Sequence, residues 1–474
     1  MPEPPKFSNP FEFDQLMLEP VHAMMANGIR VDQEKKHQLR EETIDKWNRE
    51  QDLLDDIVGV PESRSFNVSS HKQVAGFLYG HLGMPKRTRK DRKTGKTRLR
   101  TDEDALRAML AECRDKVNTL KTDSAKSRWM QAALTCFYTL RVRGVRKKIS
   151  SYLGMRIKDG RLKGERPFED DDGKIRGTIS VGGTETGRFS HSKTLWGTGI
   201  NLATVPRELR CMYIADDGYE IAEFDLNRGE SWVYAHLSED PELLRIHLDG
   251  LDFHSETAAT ISVAFGDPLS VDWIIEHKHG SAYKIRYLGK KTNHASSYRM
   301  GAFKGAETIN EEADETGITV TVREFRKAQD LWLSRYHYVK ELWWPSIEAQ
   351  LNKDRTMRTP YGRVHQFHDA WGEELFKSAT AYVPQSTSVD YLNRGFLRVH
   401  HRFVKTGAWG LQVLAQSHDS ILVQYLAQHR HEAIPEISNA LASTLTIKGR
   451  KFTIPIEASY GPSWGETTEY KLAA

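Results

Sequence analysis

The chain has 474 residues, of which 39% are hydrophobic and 28% are charged, a composition typical of globular domains and not of disordered or membrane-spanning chains. The formal net charge of +4 is too small to indicate a nucleic-acid partner by itself. The three cysteines have no metal-binding spacing and the first residues lack a secretory pattern, so we predict an intracellular protein that is not secreted.

The pattern of apolar residues divides the chain into regions. Residues 1 to about 13 form a proline-rich tail, and the sequence up to about residue 155 is predicted to be helical, with Asp102 or Thr101 as one N-cap. Strands and loops are predicted from about residue 156, helices again from about 238, and a helix, a hairpin and a closing strand from 359. The predicted early helices cover residues 13–25, 33–54, 72–80, 101–110 and 127–153.

Two basic clusters lie in the first helical region. Residues 86–100 contain nine Lys or Arg and one Asp, and residues 141–148 contain five more basic residues. On charge alone, such runs are often a solvated loop and helix face. If the chain binds DNA, they would neutralise backbone phosphates without reading the base sequence.

Two aspartates occupy predicted strand ends. Asp225 closes an apolar strand and precedes a helix start, whereas Asp419 lies at a hairpin tip between the apolar residues 411–415 and 421–425. Carboxylates at strand ends suit Mg²⁺, which takes hard oxygen ligands, few of them from protein. Two such ions, roughly 3.5–4 Å apart, clamp the attacking and leaving oxygens of a phosphoryl transfer.

A predicted basic helix lies between the two aspartates in the chain. Arg286, Lys290, His294 and Tyr298 recur every fourth residue, so they share one helix face. An Arg and a Lys one turn apart suit a polyphosphate, the Arg as a planar fork and the Lys as a point charge. The two rings continue this face and offer packing for a base or a sugar.

These motifs, in this order, resemble motifs A, B and C of the family A DNA polymerases, the DNA polymerase I family, in a phage-like or organelle-like form. The resemblance extends over nearly the whole chain. Further segments that are similar to the family are residues 67–73, 184–190, 201–206, 359–363, 381–385 and 461–464.

The resemblance implies an α+β right-hand polymerase fold with an antiparallel-sheet palm, helical fingers and a helical thumb. It also leaves no room for a 3′–5′ exonuclease domain, so we expect no proofreading by this chain. The implied divisions are a tail (1–13), the thumb (14–155), a first palm part with motif A (156–237), fingers (238–358) with the motif B helix at about 281–300, and a second palm part with motif C (359–474).

The resemblance also implies roles for individual residues. Asp225 and Asp419 are the catalytic carboxylates, and with the backbone carbonyl of Leu226 they hold two Mg²⁺ ions, for which Mn²⁺ is a possible substitute. Glu230 is a steric gate that crowds a ribose 2′-OH, although Asn227 and Glu230 also match a capping box. The nucleotide-binding residues are Arg286, Lys290, His294, Tyr298 and Glu230. The DNA-binding residues are Arg188, Asn201, Gln385 and His418, with Lys86, Arg87, Arg89, Lys90, Arg92, Lys93 and Lys96 in the basic loop of the thumb.

The implied function is template-directed addition of deoxynucleotides to a primer 3′-OH. The implied partners are primer-template DNA and dNTPs, the expected state is a monomer, and the expected compartment is a bacterial cytoplasm or an organelle matrix. Two alternatives remain: a single-subunit RNA polymerase-like enzyme, which Glu230 opposes, and a non-catalytic DNA-binding module, which intact Asp225 and Asp419 oppose.

Several positions depart from the family pattern. His294 stands where Phe or Tyr is usual, Arg299 where Gly is usual, and Trp232 where Arg is usual. The other departures are Ser420 in place of an acidic residue, Ala203 and Thr204 in place of Gln and Asn, and about six extra residues, including Gly197, Thr198 and Gly199, between Arg188 and Asn201.

Overall fold

The structure is a computed structural model that describes residues 3–61, 65–90, 95–158, 160–266, 268–417 and 419–472, apart from the side chains of Asp314 and Glu315. None of the described helices is both long and apolar enough to cross a membrane. The α-helices are α1 (Pro10–Leu16), α2 (Leu18–Asn27), α3 (Gln33–Val58), α4 (His71–Ala75), α5 (Glu103–Thr119), α6 (Asp123–Ser151), α7 (Gly229–Ser238), α8 (Pro241–Leu248), α9 (Phe253–Ile261), α10 (Val271–Glu276), α11 (Tyr283–Ser297), α12 (Ala302–Glu311), α13 (Ala313–Thr316), α14 (Val322–Arg335), α15 (Trp344–Asp354), α16 (Glu373–Val399) and α17 (Arg430–Leu441).

The strands are short, and most of them pair with a neighbour in an antiparallel sense. They are β1 (Ile29–Val31), β2 (Thr88–Lys90), β3 (Thr97–Leu99), β4 (Met155–Lys158), β5 (Arg161–Glu165), β6 (Lys174–Ile175), β7 (Thr178–Ser180), β8 (Ser190–Ser192), β9 (Tyr213–Ile214), β10 (Tyr219–Leu226), β11 (Thr356–Arg358), β12 (Val364–Gln366), β13 (Gln412–Ser417), β14 (Ser420–Leu426), β15 (Thr444–Ile447), β16 (Arg450–Thr453), β17 (Ile456–Gly461) and β18 (Thr468–Tyr470). Segments Gly76–His81, Val339–Trp343 and His400–Val404 are π-helical, and short 3₁₀ turns cover Leu202–Thr204, Arg207–Met212, Ser262–Ala264, Ala408–Gly410 and Ala427–His429.

The predicted early helices are confirmed, with ends that differ from the prediction. The first is two helices, α1 and α2, because Pro20 has no N–H with which to bond the carbonyl of Leu16. Of the two predicted candidates, Asp102 and not Thr101 is the N-cap of α5, and its side chain accepts the N–H of Ala105 at 3.1 Å. The prediction missed the β2–β3 hairpin, which lies inside the first basic cluster.

The larger of two compact units comprises Met1–Gly28, Ile179–His191 and Ala215–Ala474. Its centre is an antiparallel sheet with the strand order β13-β14-β10-β17-β18. The predicted motif C hairpin is β13–β14, so an antiparallel sheet combined with helices confirms the α+β class. The helices between residues 238 and 358, predicted as fingers, belong to the same compact unit as this sheet.

Strand β10 alternates between the core and an open face. Ala222, Phe224 and Leu226 are buried in one core cluster with residues of α16 and α17. Because successive side chains of a strand point to opposite faces, Glu223 and Asp225 lie on the other face of the sheet. The hydrophobic pattern of β10 therefore determines which face carries the carboxylates.

The N-terminal helices belong to this unit, and not to the helical region that follows them in sequence. Phe13, Met17, Val21 and Met24 are buried in the same core cluster as the sheet. We predicted a division between tail and thumb near residue 14, whereas the compact unit that contains the sheet includes the chain as far as Gly28. The apolar stripe of α1 and α2 explains the difference, because it completes this core.

Arg363 joins three parts of the larger unit. Its guanidinium donates to Asp14 at 2.8 and 2.9 Å and to Asp390 at 2.8 and 3.2 Å, and Asp390 is 1% exposed. These two carboxylates raise the pKa of Arg363, so it stays charged. Gly187 has φ 82°, and a Cβ there would lie 3.0 Å from the Arg363 Nε, so the loop packs directly on this guanidinium.

The smaller unit comprises Ile29–Thr178 and Ser192–Ile214. Helices α3, α5 and α6 enclose its core, in which Trp47, Leu106 and Cys136 are buried. A three-stranded sheet with the order β6-β1-β9 and the ribbons β2–β3 and β4–β5 complete it.

Arg363→Ala should lower the free energy of unfolding by about 3–5 kcal/mol, because it leaves Asp390 buried without its partner. Equilibrium urea unfolding measures this change. The control is Arg358→Ala, an exposed side chain on β11, which should change stability by less than about 0.5 kcal/mol. A loss at Arg363 as small as that of the control would contradict this role.

Candidate active site

Asp225 and Asp419 lie at the same edge of the five-stranded sheet. Asp225 is on β10, opposite Ser420 of β14 and Glu457 of β17. Asp419 forms the turn between β13 and β14, and its carbonyl oxygen accepts the N–H of Leu226 at 3.1 Å. The structure therefore places at one sheet edge the three residues that the resemblance implies as metal ligands.

The electrostatics of this edge favour a cation. Although Asp225 has a large solvent-accessible surface, many protein atoms surround its carboxylate and desolvate it. This desolvation, together with the negative charges of Asp419, Glu223 and Glu457, raises the pKa of Asp225 to about 8, and Lys290 opposes the shift. A cation at this edge would relieve the repulsion between the carboxylates.

The donor atoms at this edge fit Mg²⁺ better than a transition metal. Asp225 and Asp419 offer carboxylate oxygens, and Leu226 offers a carbonyl oxygen. Within the described part of the chain, no group of three or more His, Cys, Asp or Glu side chains is arranged to hold a metal ion. An ion here would need phosphate oxygens and water to complete its coordination.

Helices α9 and α11 pack closely at Gly289. A Cβ at this position would lie 2.6 Å from the carbonyl oxygen of His254 and 2.9 Å from the amide nitrogen of Ala258. Only glycine allows this approach, which places the N-terminus of α9 beside the basic face of α11. The predicted helix of residues 281–300 is confirmed as α11, and Tyr298 follows its last residue.

Arg286 already has a carboxylate partner. Its guanidinium donates to both oxygens of Asp252 at 3.0–3.2 Å, and its Nε also lies 3.3 Å from the hydroxyl of Ser255. Asp252 is the N-cap of α9 and accepts the N–H groups of His254 and Ser255. A phosphate would therefore compete with Asp252 for Arg286, whereas Lys290 is exposed on the same helix.

His254 is a site residue that the sequence analysis missed. Burial, together with the charges of Arg286 and Lys290, lowers the pKa of His254 to about 4. The negative charge of Asp252 has the opposite, smaller effect. Its imidazole is therefore neutral near pH 7. The only sequence signal was an Asp N-cap followed by a His in the first helical turn.

A buried network assigns the tautomer of His254. Asn293 accepts the indole N–H of Trp332 and the hydroxyl of Thr257 on its amide oxygen, both at 2.7 Å. The amide nitrogen of Asn293 must then face Nδ1 of His254, which lies 3.2 Å away. Because an amide nitrogen donates, Nδ1 accepts and Nε2 carries the proton.

Glu230 is held between two donors. The hydroxyl of Tyr298 donates to one carboxylate oxygen, and the guanidinium of Arg188 donates to the other at 3.0 Å. Burial raises the pKa of Glu230, and these two donors oppose the shift. The three residues that the resemblance linked to nucleotide and primer recognition thus form one hydrogen-bonded group.

The capping-box interpretation of Glu230 is wrong. Helix α7 begins after Arg228, which has φ 56° and ψ 38°, and no side chain caps it. Asn227 instead donates to Glu457 on β17 and accepts the Nε of Arg228 at 2.8 Å. The left-handed residue turns the chain so that Asn227 faces the sheet edge and not the helix.

The other predicted DNA contacts have different surroundings. Gln385 is half-buried on α16. Asn201 uses its side-chain oxygen to accept the N–H of Ala203 at 3.0 Å, which caps a 3₁₀ turn. His418 lies outside the described residues.

The first basic cluster is a largely exposed hairpin that is held at its base, where Arg100 donates to Asp102 at 2.7 and 2.9 Å. Arg87 donates to Glu112 at 2.9 Å and to the carbonyl of Ala108 at 3.1 Å, which fixes the hairpin to α5. Arg92 and Lys93 lie outside the described residues. The exposed cations among the described residues of this hairpin are Lys86, Arg89, Lys90, Lys96 and Arg98.

The second basic cluster supports the helical core. Arg141 donates to Glu50, and Arg143 donates to the carbonyl oxygens of Val68 and Thr101 at 2.8 and 2.6 Å. Because these guanidiniums already have partners, residues 141–148 contribute less to an open basic surface than their sequence suggests.

The comparisons with known proteins agree with this geometry. The sequence profile described as DNA polymerase family A matches residues 34–466. The chain belongs to DNA polymerase family A. It is 22% identical to DNA polymerase I of Rhizobium leguminosarum over 95% of this chain and 40% of that protein. It is 25% identical to the thermostable DNA polymerase I of Thermus filiformis over 92% of this chain and 46% of that protein.

The chain spans about two fifths of the length of these curated relatives. Among solved structures, it is similar to the POL domain of Pol1 from M. smegmatis in a complex with DNA primer-template and dNTP. The TM-score is 0.68 and the identity is 20%, over 95% of this chain and 70% of that chain. The predicted family and the right-hand polymerase fold are thereby confirmed.

Arg299 occupies a turn position at which family A polymerases usually have glycine. It has φ 59°, the left-handed region that costs a non-glycine residue about 1–2 kcal/mol. Its guanidinium lies 2.5 Å from Glu348 and 5.0 Å from the ring centroids of Trp344 and Phe376. These contacts offset the backbone strain directly after Tyr298.

Two other departures from the family pattern have local explanations. Trp232 is buried on α7 and stacks with the ring of Phe452 at 5.8 Å, a site in which a charged side chain would be desolvated. Ser420 donates to Glu223 at 2.8 Å, so the neighbouring strand β10 supplies an acidic residue beside Asp225. His294 is exposed, with its ring edge-to-face with Tyr298 at 5.8 Å.

Asp225→Asn should stabilise the metal-free protein, and more at pH 8.5 than at pH 5. Between about pH 4 and pH 8, the raised pKa of about 8 keeps Asp225 protonated in the folded protein. In the unfolded chain the pKa of this carboxyl group is near 3.8, so it is ionised in the same pH range. The stability from this group is therefore present below pH 4 and lost as the pH rises through 8. Urea unfolding in EDTA at low salt measures it.

The control for this pH effect is Asp272→Asn, an exposed residue on α10. Its difference from the wild type should not depend on pH. A stability gain at position 225 that shrinks as the pH rises would contradict the raised pKa.

Arg299→Ala should be less stable than Arg299→Gly by about 1–2 kcal/mol. Both variants lose the contacts to Glu348 and the two rings, so the main difference between them is the cost of a positive φ, partly offset by the larger backbone entropy that Gly loses on folding. Equilibrium unfolding of the two variants gives this difference directly. Equal stabilities would show that the residue is not held in the left-handed region.

Proposed function

We propose that the chain is a template-directed DNA polymerase that adds a deoxynucleoside monophosphate to a primer 3′-OH and releases pyrophosphate. The observation that supports this most directly is the placement of Asp225 and Asp419 at one sheet edge, linked by the hydrogen bond of Leu226. Membership of DNA polymerase family A adds support. So does the similar mycobacterial domain, whose structure is a complex with primer-template DNA and dNTP.

The proposed chemistry assigns a role to each side chain of the site. Asp225, Asp419 and the carbonyl of Leu226 would hold two Mg²⁺ ions, with Mn²⁺ as a possible substitute. When bound, such ions lower the pKa of the 3′-OH and stabilise charge on the leaving pyrophosphate. Arg286 and Lys290 would bind the triphosphate, and Arg286 would exchange Asp252 for a phosphate oxygen.

His254 would add a neutral donor to the triphosphate site. The proton on Nε2 is available for a phosphate oxygen without a change in net charge. His294 and Tyr298 would contact the sugar and base of the nucleotide. Tyr298 is the more constrained of the two rings, because its hydroxyl is bonded to Glu230.

Selection of deoxynucleotides would depend on Glu230. Its carboxylate is immobilised by Tyr298 and Arg188, so it would crowd a 2′-OH without rotating away. This gate favours a DNA polymerase over a single-subunit RNA polymerase. Primer-template DNA would contact Arg188, Asn201, Gln385 and His418. It would also contact the basic hairpin, through Lys86, Arg87, Arg89, Lys90, Arg92, Lys93 and Lys96.

We further propose that the enzyme acts as a monomer inside the cell or in an organelle matrix. The three cysteines show no disulfide in the structure, and Cys113 and Cys136 are buried. Burial raises the pKa of the Cys113 thiol to about 12, so this residue is inert and suits a reducing compartment.

Primer extension with dNTPs and Mg²⁺ tests the proposed function. Asp225→Ala and Asp419→Ala should each lower extension by more than about a hundredfold, because each removes a charge that the phosphoryl transfer needs. Duplex affinity should stay close to that of the wild type, because neither residue is a proposed DNA contact. Gel-based extension and fluorescence anisotropy measure the two quantities.

The matched control is Glu41→Ala, an exposed carboxylate on α3, which should extend primers at the wild-type rate. Retention of a tenth of the wild-type rate in either aspartate variant would contradict the proposed site. Efficient use of NTPs without a primer would favour the RNA polymerase alternative. DNA binding without any extension by the wild type would favour the non-catalytic alternative.

A further inference from the structure

The most exposed apolar side chains described in the structure are adjacent. Leu195 is 97% exposed and Trp196 is 89% exposed, at the tip of the turn that includes the extra residues before Asn201. The turn is closed by a hydrogen bond from the Gly197 N–H to the carbonyl of Thr194 at 3.0 Å. Most of the tryptophan ring is therefore accessible to solvent.

The turn is anchored on several sides. Arg166 donates to the carbonyl of Gly197 at 3.2 Å, and the hydroxyl of Thr198 donates to Asp170 at 3.2 Å. Gly199 has φ 73°, and a Cβ there would lie 2.0 Å from the carbonyl oxygen of Arg176. The protein therefore holds Trp196 at a defined position, and not on a loose loop.

The β4–β5 ribbon of the same unit has two unlike faces. Met155, Ile157 and Leu162 pack against the helical core of this unit. Because side chains alternate along a strand, the intervening residues lie on the outer face, and they are all exposed. The cationic outer residues are Arg156, Lys158, Arg161 and Lys163. The exposed Glu165 at the end of β5 lies beyond an irregularity in the strand pairing and forms an ion pair with Arg40.

Arg166 connects the ribbon to the turn. Its N–H donates to the carbonyl of Gly154 just before β4, while its guanidinium reaches Gly197 in the turn. Lys193 adds a cation over the ring of Phe168 at 4.6 Å. Burial and the charge of Arg166 lower the pKa of Lys193, as expected where positive charges gather.

We propose that this ribbon–tryptophan surface, formed by Trp196 and the cations Arg156, Lys158, Arg161, Lys163, Arg166 and Lys193, binds an unpaired DNA strand. A base would stack on Trp196, and the cations would neutralise the phosphates on either side. Only an unpaired base offers its face to such a ring, so the surface would prefer single strands to duplex.

The charge of the surface favours a nucleic acid over a protein. Two apolar side chains cover far less area than a stable protein interface needs, and the guanidinium of Arg166 contacts the turn that carries them. That the nucleic acid is DNA rests on the proposed polymerase function. The binding itself uses none of the catalytic residues and would not require Mg²⁺ or dNTP.

Fluorescence anisotropy with a labelled oligothymidylate, in EDTA and without dNTP, tests the proposal. Trp196→Ala should weaken binding by about 5-fold to 150-fold, the range expected for one stacked base. Trp196→Phe should retain most of the affinity, because it keeps a ring. The double variant Lys158→Ala and Lys163→Ala should reduce the salt slope by about 1.4, for two phosphate contacts at about 0.7 each.

The matched controls are Trp371→Ala and Lys353→Ala, an exposed ring and an exposed cation of the larger unit. Both should bind the oligonucleotide as the wild type does. Primer extension at saturating primer-template should be unchanged in Trp196→Ala, which also shows that this variant folds.

Equal oligonucleotide affinities of the wild type and Trp196→Ala would overturn the proposal. So would a self-association that Trp196→Ala abolishes while oligonucleotide affinity stays intact, because it would identify the turn as a protein interface. Absence of primer extension in a wild type that binds oligothymidylate through Trp196 would contradict the proposed polymerase function alone.

Discussion

The active-site geometry depends on one backbone hydrogen bond, from the N–H of Leu226 to the carbonyl of Asp419. It continues the pairing of β10 with β14 past the hairpin turn and so brings the backbones of the two aspartates together. The same register places Glu457 opposite Asp225 and Glu223 two residues before it. Like charges at one sheet edge disfavour the ionised form of Asp225, and a cation bound at this edge would relieve that cost.

Positive charges lie on α11, and in the ligand-free protein a carboxylate neutralises one of them. Arg286 is paired with Asp252, whereas Lys290 remains exposed. The close packing at Gly289 makes this possible, because it brings the N-terminus of α9 to the basic face. In the proposed binding mode, a triphosphate would replace Asp252 as the partner of Arg286 and would gain a neutral donor from His254. Asp252 would then keep the N–H groups of His254 and Ser255 as its partners.

Several departures from the family pattern keep the geometry by other means. Arg299 adopts the left-handed conformation that glycine usually supplies, and it offsets the strain through Glu348 and two aromatic rings. Trp232 replaces a charge by packing against Phe452. Ser420 lacks a carboxylate but contacts Glu223 on the adjacent strand. Only at Ser420 does a neighbouring residue supply the chemical group that the family pattern would place there.

The sequence alone determined the family, the α+β class and the position of both aspartates, because strand periodicity and motif spacing are local properties of the chain. It did not reveal that α1 and α2 complete the core of the sheet, that Asp252 occupies Arg286, or that Glu230 is bonded to Tyr298 and Arg188 and not to a cap. It also missed His254 and the exposure of Trp196. These features depend on which surfaces meet after folding, and only the tertiary structure decides which residues distant in sequence become neighbours.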